Sequence, residues 1–372
     1  MVRADSRAMS DLHERVTRVW QGGVGPAASR ALDVAARGYR GLLDAREWLY
    51  GRGVLRCRAL GVPVVSVGNL TVGGTGKTPA VELVVRTLLA LGHRPAVLSR
   101  GYGRRGHGIR VVADSSSMRL NADEAGDEPI LLARRLPGVP VIVGAHRYGA
   151  GRVAVERFGV TALVLDDGFQ HRTLAKDVEI LMARARAPWG NGRLLPGGPL
   201  REPLTALARA HLIVVTGARA ASDVAEVTAA ARVHAPDVPV LAARHLPIEC
   251  WDAASTRALG AEALRGLKLF AFAGIGAPDS FRETLGDAGA VEAGFARFAD
   301  HHRYTADELA MLERRAHAAS AVGLVTTEKD WMRVRALPAP AMPLYVLGVR
   351  LALLSGEAQW RAVLARACAR PA

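Results

Sequence analysis

Val64-Val-Ser-Val67 runs without a break into Gly68-Asn-Leu-Thr-Val-Gly-Gly-Thr-Gly-Lys-Thr78, and an apolar, helix-forming stretch follows. A β-branched run, a glycine-rich turn, Lys-Thr and a helix make the setting of a phosphate-binding loop. Successive backbone N–H groups in such a loop point at phosphate oxygens, and the helix N-terminus adds partial positive charge. The usual spacing puts glycine at position 71. Thr71 stands there instead, and Gly73, Gly74 and Gly76 supply the backbone freedom. The reading assigns Gly73, Gly74, Thr75, Gly76, Lys77 and Thr78 to a nucleotide, with Lys77 at the β- and γ-phosphates and the Thr78 hydroxyl at Mg²⁺. A flexible turn with an incidental lysine is the bland alternative, and the flanking strand and helix weigh against it.

Downstream, Ala162-Leu-Val-Leu-Asp-Asp-Gly-Phe-Gln-His171 is an apolar strand that ends in two acidic residues. P-loop proteins bring a carboxylate to Mg²⁺ in this way. Read as extended backbone, Asp166 and Asp167 project to opposite sides, so one suits the metal and the other a substrate group. In isolation, Asp-Asp-Gly would be read as a turn.

Around these motifs, short β-branched runs alternate with helical patterns, which predicts a mostly parallel α/β sheet. Strands are expected at Val62–Val67, Ala96–Ser99, Val139–Val143, Ala162–Leu165, Val178–Met182 and Leu212–Thr216. Helices are expected at Lys77–Leu91, Ala122–Leu136 and Tyr148–Phe158, and an ordered loop at Leu194–Pro203. A second pattern takes in Leu269–Ala273, Gly323–Thr327, Leu344–Val349 and a final helix. The fold class expected is α/β: a P-loop, RecA-like sheet with flanking helices, plus a smaller C-terminal α/β domain. The boundaries expected are a partly ordered lead-in over 1–26, a basic amphipathic helix over 27–58, the P-loop core over 59–245 and the second domain over 246–372.

The chain has 372 residues and a formal charge of +14, a balance that attracts nucleotide, nucleic acid or anionic lipid. Composition alone does not choose among them. Nucleic-acid binders interleave aromatics with Lys and Arg on a strand face, whereas here the basic residues gather on one N-terminal helix, so nucleic acid is not expected. In that helix Leu32, Ala35, Ala36, Tyr39, Leu42, Leu43 and Leu49 recur at helical spacing, with Arg30, Arg37, Arg40, Arg46, Arg52, Arg56 and Arg58 around them and Trp48 and Tyr50 as interfacial aromatics. It either lies on an anionic bilayer or packs against the neighbouring domain. No run reaches the roughly 18 apolar residues of a spanning helix. Cys57, Cys250 and Cys368 are far apart and form no zinc pattern, which favours a reducing compartment. The location expected is cytoplasmic or peripheral. Nothing calls for an obligate protein partner.

The ordered set Val67-Gly-Asn-Leu-Thr-Val-Gly-Gly-Thr-Gly-Lys-Thr-Pro79, Leu98-Ser-Arg-Gly-Tyr-Gly103, Gly126-Asp-Glu-Pro129, Asp166-Asp-Gly-Phe-Gln-His171, Pro199-Leu-Arg-Glu-Pro203, Phe272-Ala-Gly-Ile-Gly276, Asp300-His-His302 and Thr327-Glu-Lys-Asp330 resembles the tetraacyldisaccharide (lipid A) 4'-kinase family. The resemblance runs from about Leu32 to Asp330. It implies transfer of the ATP γ-phosphoryl group to the 4'-hydroxyl of an anionic, tetraacylated glucosamine disaccharide phosphate. It also implies a site between the two domains and a place at the cytoplasmic face of the inner membrane. Asp127 matches the family's catalytic position and His301 its partner. Arg100, Tyr102, Glu128, His171, Arg201 and Glu202 match substrate-side positions, and Arg193 is a further candidate cation.

Without the resemblance, Asp127 reads as a cap for the helix that begins near Pro129, and His301 and His302 as loop histidines. Arg201 with Glu202 reads as a solvated pair and Tyr102 as a turn aromatic. Gly274-Ile-Gly276 reads as a tight turn more readily than a phosphate seat. The rival reading is a nucleotide-hydrolysing switch or metallochaperone. A guanine-reading Asn-Lys-x-Asp tag would support it, and Thr327-Glu-Lys-Asp330 lacks the Asn.

Overall fold

The computed structural model describes Trp20, Gly23, residues 25–255 and residues 258–369. Most of the expected lead-in therefore lies outside the described residues. The chain forms two compact units: a larger one within Arg18–Arg244 and Leu353–Ala372, and a smaller one at His245–Ala352.

The larger unit opens with α1 (Pro26–Gly51). After it come β1 (Val64–Gly68), α2 (Lys77–Ala90), β2 (Pro95–Ser99), β3 (Arg110–Ala113), α3 (Ala122–Ala125), α4 (Asp127–Arg135), β4 (Val141–Val143), α5 (Arg147–Phe158), β5 (Ala162–Asp166), β6 (Val178–Arg184), β7 (Leu212–Thr216), α6 (Ala225–His234) and the first half of β8 (Val240–Asp252). Its sheet has the order β8-β7-β6-β1-β5-β2-β4-β3, parallel except for the β3 edge. The central strands β1, β2 and β5 are buried along their whole length, as a sheet covered on both faces requires. Helix α2 lays Ala80, Val81, Val84, Val85 and Leu88 onto that sheet at helical spacing, each removed from water. Both motif-bearing strands thus end side by side, with Val67 of β1 in register with Asp166 of β5.

Several expectations need correction. The helix drawn over Ala122–Leu136 is two helices, broken at Gly126, which has φ +92°. A Cβ there would sit 2.8 Å from the Tyr102 carbonyl oxygen, so close approach of two loops forces the break and makes Asp127 the first residue of α4. The N-terminal helix stops at Gly51, leaving Arg52, Arg56 and Arg58 beyond it, the last in a β-bridge with Leu174. The two units meet along the chain at Arg244–His245, inside β8. The final helix Glu357–Cys368, drawn with the second domain, packs on α2 and β1 of the larger unit. There Trp360 is buried, its Nε1–H donating to Thr87 Oγ1 at 3.0 Å.

Helix α1 has two different faces. The inward one buries Leu43 and is tied to the core by polar contacts: Tyr39 Oη donates to the Arg201 carbonyl at 2.9 Å, Arg46 pairs with Glu202 at 3.2 Å, and Glu47 pairs with Arg172 at 2.7 Å. On the far side by helical spacing, Val34, Leu42 and Trp48 are 64%, 71% and 57% exposed. One face of this helix thus packs on the core and the other is exposed. Among the described residues no helix is long and apolar enough to cross a membrane.

The smaller unit contains β9 (Ala258–Gly260), β10 (Lys268–Ala273), α7 (Pro278–Asp287), β11 (Val291–Arg297), α8 (Ala306–Ala318), β12 (Gly323–Thr327), α9 (Glu328–Val334) and β13 (Leu344–Leu353). Strands β11-β10-β12-β13 are parallel, and the second half of β8 adds β9 antiparallel at Glu249–Trp251. Alternate residues of β10 face different cores, Phe270 and Phe272 on one side, Leu269, Ala271 and Ala273 on the other.

Candidate active site

The phosphate loop joins the buried end of β1 to the start of α2 at Lys77. Gly73 and Gly76 have φ of +109° and +77°, conformations that a side chain resists. Thr71 takes an ordinary backbone conformation and pairs as a β-bridge with Leu200, while Val72 N–H donates to the Pro199 carbonyl at 2.8 Å. A β-bridge suits a β-branched residue, so the missing glycine is explained by the ladder that fastens the Leu194–Pro203 loop to the phosphate loop. From below, Thr216 Oγ1 donates to the Thr75 carbonyl at 3.2 Å.

Lys77 Nζ lies 3.3 Å from Asn69 Oδ1 and 3.6 Å from Asp167. Arg201 forks onto both Asp167 oxygens at 3.0 and 3.1 Å and also donates to Asn69 Oδ1. Asn69 was not singled out by the sequence reading, although it is the first polar residue after the strand. Gln170, equally unassigned, holds the Asn69 carbonyl at 2.9 Å. The Thr75 hydroxyl, the Asn69 amide nitrogen and the Ser66 hydroxyl are buried and unpartnered among the described residues, a polar lining that suits a polyphosphate.

Asp166 and Asp167 do not share an extended backbone, because Asp167 has φ +52° and turns away from the strand. Burial, with Glu128 and Asp167 as neighbouring negative charges, pushes Asp166 up to about 7 even though Ser99 Oγ donates to it at 2.9 Å. Asp167 goes the other way: burial alone would raise it, but Lys77 and Arg201 outweigh that and hold it at about 2. Asp166 ends β5 in register with the end of β1, the strand that leads into the phosphate loop and Thr78, and a carboxylate with a hydroxyl are oxygen donors of the kind a hard divalent cation takes.

The raised Asp166 also makes a stability prediction. Its ionised form is disfavoured in the fold, so the metal-free protein should lose stability as pH climbs from the ordinary carboxylate range through about 7. Asp166→Asn should therefore melt higher than the parent at pH 8 in a chelating buffer and equally at pH 4. Thermal scans at the two pH values check this; a lower melting point at pH 8 contradicts it.

Beside this centre, the loop of Arg100 and Tyr102 abuts the start of α4, where Gly126 meets the Tyr102 carbonyl and Asp127 and Glu128 follow. Tyr102 is exposed, as is Arg100. His171 is partly buried, and that burial, with Arg147, Lys176 and Arg100 nearby, pushes it down to about 4, so it is neutral at ordinary pH. Its Nε2 lies 2.8 Å from Thr173 Oγ1. Glu202 is not a solvated partner of Arg201. Its buried carboxylate pairs with Arg209 at 2.7 Å and with Arg46, anchoring α1 to the loop that carries Arg201. Arg193 is exposed and pairs with Asp33 at 3.1 Å.

The family described as Tetraacyldisaccharide-1-P 4'-kinase matches residues 28–369. The chain belongs to this family. A Tetraacyldisaccharide 4'-kinase of Anaeromyxobacter sp. (strain Fw109-5) is 46% identical over 349 residues, 92% of this chain and 93% of the relative. That of Syntrophus aciditrophicus (strain SB) is 41% identical over 355 residues, 92% and 95% of the two chains. A crystal structure of LpxK from Aquifex aeolicus in complex with ATP matches with a TM-score of 0.71 at 29% identity, covering 91% of this chain and 99% of that one.

In this family member the tags of the smaller unit converge on one residue. Asp330 has 0% exposure and accepts from Gly274 N–H at 3.0 Å, Tyr304 Oη at 2.9 Å and Thr327 Oγ1 at 2.6 Å. Its carboxylate is committed to these structural hydrogen bonds, including one from the Gly274 N–H. His301 belongs to this unit, with φ +61° and its N–H on the Gly274 carbonyl at 3.2 Å. Its neighbour His302 pairs with Glu308 at 3.1 Å.

Proposed function

We propose that the chain transfers the γ-phosphoryl group of ATP to the 4'-hydroxyl of a tetraacylated glucosamine disaccharide 1-phosphate, working as a peripheral enzyme at the cytoplasmic face of the inner membrane. The observation that carries the site assignment is the convergence of Lys77, Arg201, Asn69 and Asp167 on the phosphate loop, next to Asp166, in a member of a kinase family. Gly73, Gly74, Thr75 and Gly76 cradle the phosphates with backbone N–H groups, and Lys77 sets a point charge against the transferring group. Thr78, Asp166 and Asp167 would hold Mg²⁺, which when bound supplies charge neutralisation on the β- and γ-phosphates.

The acceptor hydroxyl is a poor nucleophile at neutral pH and needs a base in the transition state. Asp127, with His301 as partner, takes that role: the hydroxyl oxygen bonds to the γ-phosphorus, the bond to the ADP oxygen breaks, and the hydroxyl proton passes to Asp127. Arg201 releases part of its hold on Asp167 to face anionic substrate, and Arg100, Tyr102, Glu128 and His171 line the acceptor side. Glu202 serves this by fixing Arg201.

The exposed face of α1 meets the bilayer through Val34, Leu42 and Trp48, flanked by Arg30, Arg37 and Arg52, where each basic side chain near an anionic surface adds about 1 kcal/mol. Leu42→Asp with Trp48→Asp should lower partition onto anionic vesicles at least about tenfold without changing the melting temperature. Unaltered sedimentation with vesicles would remove this face from the reading. The function as a whole is tested with purified protein, ATP, Mg²⁺ and the disaccharide 1-phosphate lipid in detergent micelles, scored for bisphosphorylated product. Phosphate released without a bisphosphorylated lipid would point to a nucleotide-driven switch instead.

A further inference from the structure

We propose that Lys176 is a positioning residue for the Asp167 carboxylate: its buried ammonium pins the turn Asp167-Gly168-Phe169 against the phosphate loop and so sets where that carboxylate stands between Lys77 and Arg201. The inference rests on the reading of Asp167 as a metal-side residue of the site.

The turn is constrained along its whole length. Asp167 has φ +52°, a left-handed backbone that a non-glycine residue keeps only where its surroundings impose it. Gly168 has no room for a side chain: a Cβ there would lie 2.6 Å from Ser66 Oγ, and the Gly168 N–H donates to the Val67 carbonyl at 3.1 Å. A Cβ on Gly68, where the phosphate loop begins, would lie 2.5 Å from the Phe169 Cβ, so turn and loop are in direct contact. Any shift of the turn therefore displaces Asp167 relative to the phosphate loop.

With the backbone turned in this way, the Gly168 and Phe169 carbonyls converge on one point. Lys176 Nζ occupies it and donates to both at 3.2 Å. Glu179 of β6 pairs with the same ammonium. An ammonium has three donors and no acceptor, so two carbonyls and one carboxylate use it fully. The Lys176 side chain is 5% exposed, and burial pushes it below the ordinary lysine value against the opposing pull of Glu179. An apolar chain of the same length would avoid that desolvation cost but would strip two buried carbonyls of their donor. The Phe169 ring is fully buried and has the Lys176 ammonium 5.9 Å and the Arg209 guanidinium 4.5 Å from its centroid, while Arg209 is itself fixed by Glu202 at 2.7 Å. Lys176 touches the backbone of the turn and Glu179, so its effect on Asp167 passes through the turn.

The test is a double-mutant cycle on the full-length protein, combining Lys176→Met, which keeps the stem and removes every donor, with Asp167→Asn. Single-turnover rates measure the chemical step. Electron paramagnetic resonance of Mn²⁺ with a non-hydrolysable ATP analogue gives metal affinity, and fluorescent-nucleotide titration in a chelating buffer gives nucleotide affinity without metal. Lys176→Met alone should lower the rate about thirtyfold to a hundredfold and weaken Mn²⁺ binding about tenfold, with metal-free nucleotide affinity changed less than about twofold. In the Asp167→Asn background the same change should cost less than about threefold. Lys176→Arg, which keeps charge and donors, should recover part of the rate and of the Mn²⁺ affinity. Should Lys176→Met not fold, Lys176→Gln, whose amide keeps two donors, goes through the same cycle. Equal losses with and without the Asp167 carboxylate would make Lys176 merely structural and sink the inference, as would a fallen rate with Mn²⁺ affinity unmoved, or no change in either. An Asp167→Asn enzyme as fast as the parent would refute the reading of Asp167 itself, and the inference with it.

Discussion

Lys77→Ala should reduce formation of the bisphosphorylated product by at least about a thousandfold. The side chain is the point charge aimed into the phosphate loop, held 3.3 Å from Asn69 and 3.6 Å from Asp167. Phosphoryl transfer offers the protein little covalent chemistry, so catalysis is placement and neutralisation of charge, and loss of a directed cation removes a large share of it. Two effects compound in this variant. The γ-phosphate loses its ammonium, and Asp167 loses the first of the cations that hold it ionised, leaving Arg201 to pair with it fully. Lys77→Arg should not restore activity, because a planar fork does not occupy the place of a compact ammonium between an amide oxygen and a carboxylate. Single-turnover assays at saturating ATP measure the chemical step directly. A rate within tenfold of the parent would mean that the loop is not the site of transfer.

Asp127→Asn should lower kcat by about a hundredfold to ten-thousandfold while leaving nucleotide affinity largely intact. The amide keeps the size and hydrogen-bonding shape of the side chain at the first position of α4, so the fold is spared. It cannot take up a proton. Affinity for ATP should persist because the phosphate loop and α2 are built from a different segment, with Lys77 held by Asn69 and Asp167, Asn69 by Gln170 and Thr75 by Thr216. Fluorescent-nucleotide titration alongside the product assay separates the two quantities. Parallel losses in both would assign Asp127 to nucleotide binding or to the fold, and unimpaired kcat would dismiss it as the base.

Much of the site could be read in the linear chain because its signals are local. Gly76 must be glycine where the chain turns into α2, Lys77 and Thr78 must open a helix, and Asp166 must end a buried strand. Each constraint acts within a few residues. The errors fall where the constraint comes from far away. Gly126 looked like an ordinary helical position until the Tyr102 carbonyl was found against it. Glu202 looked like the solvent-exposed partner of its neighbour, whereas its partners Arg46 and Arg209 come from α1 and from the turn beyond. Asp166 and Asp167 read as having different jobs without showing which had which, and their surroundings push one up to about 7 and hold the other at about 2.

By itself the sequence determined the parallel α/β architecture, the phosphate loop with its lysine and threonine, and the ordered tags that mark the family, since periodicity, turn chemistry and motif spacing are written in consecutive residues. The tertiary structure alone decided that Thr71 is a ladder residue, that Asn69 receives both Lys77 and Arg201, that one face of α1 is tied to the core while the other is exposed, and that Gly274, His301 and Arg333 are organised around Asp330. The physical reason is that the partner, burial and ionisation of a polar side chain depend on which distant segments crowd around it.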